Sequence, residues 1–173
     1  GQGGTFSGDN IPVVNILKSD QNQVMLIALD TNLETEHPFD FACGEVGRKQ
    51  LNYLNTILSD TTTTMMKKIL FFHHHLFIHN DPLMELMDAR DVIRSIYGKV
   101  DVVLFGHKHV MRQWGNINGI RFVLASDNSP GKDWVREIVI EGDVFGVNEI
   151  PVQPKGDTVK HKPAGKRKNK RQG

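Results

Sequence analysis

Five of the eight histidines in this 173-residue chain fall in two short runs. His73, His74 and His75 are consecutive, and His107 and His109 flank Lys108 directly after Gly106. Imidazole is a good ligand for borderline metals such as zinc, iron and manganese. Each run follows an apolar stretch, Ile69-Leu70-Phe71-Phe72 in one case and Val100 to Phe105 in the other. In α/β sheets, sites form in the crevice beyond the carboxyl ends of the strands. Two parallel strands joined by a helix would bring both runs to the same edge. In an irregular loop His107 and His109 can diverge toward two ions, and Gly106 is expected to let the backbone approach them closely. One ligand is expected from the run of three, because consecutive side chains point in different directions. The competing reading for both runs is a capped or solvated loop. His79 reads as a surface loop residue, and His37 and His161 carry no partner signal.

The elements that must position these residues are legible from periodicity. Val24-Met25-Leu26-Ile27-Ala28-Leu29 is a continuous apolar run ending at Asp30, the pattern of a strand buried on both faces. Leu51, Leu54, Ile57 and Leu58 recur at the helical period and predict a helix over Glu45 to Ser59. Leu83, Leu86, Met87, Ile93 and Ile96 do the same for Leu83 to Tyr97, with Gly98 suited to its C-terminal cap. Further strands are expected at Ile69 to Phe72, Val100 to Phe105, Ile120 to Ala125 and Val135 to Ile140. Hairpin-like turns lie at Asn118-Gly119 and at Glu141-Gly142-Asp143. Strand and helix alternate first and strands dominate later, which argues an α/β sheet giving way to antiparallel strands. Asn32 to Gly44 reads as a loop, and Gly1 to Asn10 contributes no core element.

A hydrophobic content of 39% and a charged content of 24% fit a folded domain and exclude wholesale disorder. Apolar runs are too short for a helical membrane span, no signal-peptide pattern opens the chain, and no membrane partner is expected. One cysteine, Cys43, excludes an internal disulfide and a multi-cysteine zinc site. A reducing, cytoplasmic setting fits. The formal charge of +1 hides an asymmetry. Gln153 to Gly173 holds eight lysines and arginines against Asp157 alone, so the body is mildly acidic and the tail strongly basic. Residues 151–173 are therefore read as a disordered basic tail. Such a tail can attract nucleic acid, although no aromatic is interleaved to stack on bases.

Four segments in order resemble the calcineurin-like metallophosphoesterases, especially the branch related to cyclic-nucleotide phosphodiesterases. "VMLIALDT" at Val24 to Thr31 is similar to the family's "fi-LDS" strand. "GRKQLNYLNTIL" at Gly47 to Leu58 is similar to its "QL-WL---L" helix, with Tyr53 in the tryptophan place. "ILFFHHHLF" at Ile69 to Phe77 resembles "vv-HHPP", and "VDVVLFGHKH" at Val100 to His109 resembles "VD-VL-GH-H". The resemblance spans Gln23 to Ile140. It implies that residues 1–150 form part of a four-layer αββα sandwich with a mixed sheet. It also implies a dinuclear centre that hydrolyses phosphomonoesters or phosphodiesters with manganese, iron or zinc. His73 and His107 would then ligate the second metal and His109 the first. His74 would stand near the phosphate as a catalytic residue, and His75 replaces the usual proline.

The family's "D-x-H", "GD-x-x-D" and "GN-H-D/E" motifs are absent from this sequence. Neutral imidazoles alone do not neutralise two close dications, which is the task of a bridging carboxylate. The chain is thus expected to be the C-terminal half of such an enzyme, inactive until an N-terminal segment or partner chain completes it. An exposed sheet edge and an apolar face open to water should follow. A reading of another class is a non-catalytic α/β binding protein whose basic tail contacts nucleic acid or an acidic partner. A mononuclear zinc-stabilised domain would need a fourth protein ligand, and the sequence identifies none.

Overall fold

The computed structural model describes residues 11–32, 43–77, 86–127 and 134–152. The basic tail from Gln153 lies outside the described residues, as do His37, His79 and His161. Among the described residues the strands are β1 (Val13–Lys18), β2 (Gln23–Ala28), β3 (Lys67–Phe71), β4 (Val102–Phe105), β5 (Arg112–Ile117), β6 (Ile120–Ala125), β7 (Trp134–Glu141) and β8 (Val144–Pro151). The α-helices are α1 (Arg48–Ser59) and α2 (Ala89–Ile96). A six-stranded sheet runs in the order β1-β2-β3-β4-β6-β5, and β7 and β8 form a separate two-stranded sheet. β2, β3, β4 and β6 are parallel, while β1 and β5 are antiparallel at the two edges. The sheet is therefore mixed, and β3 and β4 are parallel neighbours, as the histidine spacing requires.

Two apolar clusters lie on opposite faces of this sheet, because successive strand residues alternate sides. Leu54 and Leu58 of α1 and Val92 and Ile96 of α2 pack with Ile27, Leu70, Val103 and Val123 on one face. Ile69, Val102 and Leu124 turn to the other face, where Ile138, Ile140, Phe145 and Val147 of the β7–β8 hairpin cover them. The described residues thus form three layers: helices, main sheet, hairpin.

The run at Val24 to Leu29 was expected to be buried on both faces. Its helix side is buried at Met25, Ile27 and Leu29, but Val24, Leu26 and Ala28 are only half-buried. The reason is that the hairpin covers only part of the second face. β1 makes this plainer: every one of its residues is exposed, including Val13, Val14, Ile16 and Leu17. No helix among the described residues is long and apolar enough to cross a membrane.

Both helices start later than periodicity suggests. α1 begins at Arg48 because the segment before it is held extended. Gly44 forms a parallel bridge with Leu86, and the Glu45 N–H donates to the Thr31 carbonyl at 3.1 Å. The second helix begins at Ala89, so Leu86 and Met87 are not on its stripe. Leu86 is buried through that bridge, Met87 is exposed, and Leu83 lies outside the described residues. Asp88 ties the two starts together. Its carboxylate accepts the N–H groups of Val46 and Gly47 at 2.9–3.1 Å, and its carbonyl accepts those of Asp91 and Val92.

Candidate metal centre

β3 and β4 end side by side, with Phe71 paired to Leu104. Parallel pairing continues past both strands. The Phe72 N–H donates to the Leu104 carbonyl at 3.1 Å, and the Gly106 N–H donates to the His73 carbonyl at 3.0 Å. This clamps the His73 backbone beside Gly106 and so beside His107. After Gly106 the chain turns sharply, the Lys108 N–H donating back to the Gly106 carbonyl at 2.9 Å. His107 and His109 both take left-handed backbone conformations, φ 71° and 48°. Non-glycine residues held there cost about 1–3 kcal/mol each, a strain found most often at functional sites.

The turn brings His107 Nδ1 to 2.8 Å from His73 Nε2. The His74 ring completes a triangle, with centroids 5.0 Å from His73 and 4.6 Å from His107. One ligand nitrogen from each of the three lies within 4.8 Å of the others. Nitrogen–metal bonds of about 2.0–2.1 Å span about 4 Å across one ion, so the three can hold one ion between them. His73 is exposed, His107 half-buried and His74 buried, so the triangle is open on the His73 side and closed behind.

What closes it is a shell of uncharged groups. Thr31, 1% exposed, places its Oγ1 at 2.7 Å from His74 Nδ1. Gly44 packs directly over that ring: a methyl group in its place would overlap the His74 imidazole. Thr31 follows Asp30, whose peptide is gripped by the buried amide of Gln50. Gln50 Oε1 accepts the Asp30 N–H at 2.9 Å, and Nε2 donates to the Asp30 carbonyl at 2.7 Å. Burial pushes His74 down to about pKa 4, helped by His107 and His73 and opposed by Asp30. The ring is therefore neutral at pH 7.

Gly106 was expected to be the close-approach glycine, and the structure moves that role to Gly44. A side chain at 106 would meet nothing nearer than the His73 carbonyl at 3.9 Å, an ordinary contact. Two members of the run join the group where one was expected, and the third, His75, turns away from them. It is buried among Phe77, Phe105 and Trp114, with Nδ1 within 3.2 Å of the Phe77 backbone N–H and carbonyl. His109 is not in the group of three. Its Nδ1 lies 3.8 Å from Asp127 Oδ1, just beyond the end of β6 on the same edge.

Of the residues singled out by sequence, the structure thus brings together His73, His74 and His107. Thr31 and Gln50 lie within segments quoted for the resemblance, although nothing there gave them a role, whereas Gly44 and Asp127 carry no motif signal. The chain matches no protein-family model and no curated protein closely enough to align with it.

Proposed function

We propose that this chain carries the histidine side of a metal-dependent phosphoester hydrolase. The second of its two ions would be held by His73 and His107. The observation that supports this reading is the meeting of His73, His74 and His107 at the carboxyl ends of two adjacent parallel strands. In this reading the helix pair, mixed sheet and hairpin are three layers of an αββα sandwich. The first ion, at His109, and the anionic ligands between the two would come with the motifs this chain lacks, on another segment or a partner chain. Manganese, iron or zinc suits the imidazole donors.

When bound, such an ion neutralises phosphate charge and lowers the pKa of water. His73 and His107 orient it, and the buried wall of Thr31 and Gly44 keeps solvent from the back of the site. Water adds to phosphorus, the bond to the leaving oxygen breaks, and that oxygen takes up a proton. His74, neutral and fixed, stands beside the place where the phosphate would bind.

The test is hydrolysis of a chromogenic aryl phosphodiester with excess manganese. The chain alone should show no turnover above the manganese blank. Supplied with the missing aspartate-bearing half, it should turn over, and His107→Ala should remove at least about 100-fold of that rate. Robust turnover by the chain alone would mean that it holds its own carboxylate ligands. Full activity of the completed His107→Ala protein would remove the metal assignment.

A further inference from the structure

His74 is the least exposed of the three clustered rings, and among the described residues its Nδ1 has one hydrogen-bonding partner. That partner is the Thr31 hydroxyl at 2.7 Å. A buried hydroxyl has one proton to give and needs an acceptor for it. Thr31 Oγ1 also receives the His74 backbone N–H, at 3.4 Å, which takes one of its two lone pairs. Among the described residues the only acceptor in reach of the Thr31 proton is His74 Nδ1. If Nδ1 instead carried the proton, Thr31 would accept twice and its own buried proton would go unmet, which is unfavourable for a buried hydroxyl.

We propose that Thr31 fixes His74 in the tautomer with the proton on Nε2, so that His74 serves the site as a hydrogen-bond donor to an anionic oxygen and not as a third metal ligand. Thr31 is a positioning residue here and acts only through His74. Gly44 belongs to the same device: the absence of its side chain leaves the ring the one place where Nδ1 can meet Thr31. Thr31 itself is held from both sides. The Glu45 N–H donates to its carbonyl at 3.1 Å, and Gln50 grips the preceding peptide. His73 and His107 are left as the ion-binding pair, their facing nitrogens 2.8 Å apart. A neutral Nε2–H beside that pair suits an oxygen of a phosphate, which accepts but cannot donate when fully ionised. The inference rests on the proposed phosphoester site but is tested separately from it.

The experiment is ring nitrogen NMR on the histidine-labelled chain, metal-free, then with zinc, then with zinc and inorganic phosphate. The expected result is a protonated Nε2 and an unprotonated Nδ1 for His74 throughout, while zinc shifts the His73 and His107 nitrogens. Thr31→Val should let His74 redistribute between tautomers and weaken phosphate binding to the zinc form about tenfold, the loss of one hydrogen bond of about 1.4 kcal/mol. Zinc affinity itself should stay within about twofold. Thr31→Ser keeps the hydroxyl and should restore both the tautomer and the phosphate affinity, which a purely structural role would not require. A proton on Nδ1 of His74 in the unaltered chain, or loss of its Nε2 proton on adding zinc, would overturn the inference. If zinc shifts no histidine, the ion-binding reading fails while the tautomer result stands by itself.

Discussion

An imidazole 3% exposed and packed against two others cannot be charged cheaply. Burial is the larger cause of the depression of His74 to about pKa 4, and the neighbouring rings add to it. The consequence for stability has a definite sign. In the unfolded chain His74 titrates near the ordinary histidine value of 6.5. Between that value and about 4 the unfolded state binds a proton that the folded state refuses. The contribution is fully present above pH 6.5 and is lost as pH falls toward 4. The metal-free chain should thus lose about 1–2 kcal/mol from this group between pH 7 and 4.5, less than a fully enclosed ring would give because the site opens to water beside His73. Urea midpoints of the unaltered chain and of His74→Gln at both pH values measure it: the variant should show the smaller decline. Equal declines would mean that His74 does not carry the linkage. At this scale the sequence showed where His73 and His107 would meet, because both follow apolar runs. It could not show the contacts of Thr31 and Gly44 with His74, which join segments more than 25 residues apart.

The extended stretch from Gly44 to Val46 sets where α1 begins, and Asp88 secures it. A carboxylate that accepts two N–H groups while its own carbonyl opens α2 serves two elements at once. Asp88→Ala should therefore cost about 1–3 kcal/mol, and Asp88→Asn less, since the amide oxygen can still accept. Urea denaturation at pH 7 checks this, and an unchanged midpoint for Asp88→Ala would show that water replaces the carboxylate without loss. Asp88 also explains the misread helix. Leu83, Leu86 and Met87 continue the spacing of Ile93 and Ile96, but periodicity cannot tell a helical turn from a short bridge that happens to bury one leucine. Leu86 is buried by pairing with Gly44, a partner 42 residues away that no local pattern announces. β5 and β8 were signalled only by the turns beside them. Arg112–Ile117 does not alternate apolar with polar residues, and it forms a strand because β6 supplies the hydrogen bonds.

Across the whole molecule the second face of the main sheet is only partly covered. Val13 pairs with Ala28, Ala28 with Phe71, and Phe71 with Leu104, so these side chains share that face; Leu17, opposite Val24, joins them. Val13 is 63% exposed, Leu17 56% and Phe71 39%, although the same face is sealed by the hairpin at Ile69, Val102 and Leu124. β1 is an open edge of the main sheet among the described residues, its outer side pairing with none of them. Such an edge is a template for another strand, and a row of apolar side chains beside it adds a driving force of about 25 cal/mol per Å² buried. The chain should therefore self-associate at about 10–100 µM, in the range where exposed edges and apolar faces do so. Sedimentation velocity over a concentration series reads this directly. Val13→Lys together with Leu17→Lys places two positive charges on the open part of the face, where side chains have little packing to lose. The double variant should sediment as a monomer at the same concentrations, with a stability within about 0.5 kcal/mol of the unaltered chain. Undiminished association would move the contact elsewhere, the outer side of the hairpin at Val135 and Val144 being the next exposed apolar surface. A large loss of stability would instead show that residues of this same chain cover Val13 and Leu17 in solution. In that case the half-bare sheet would not be the place where a completing segment docks.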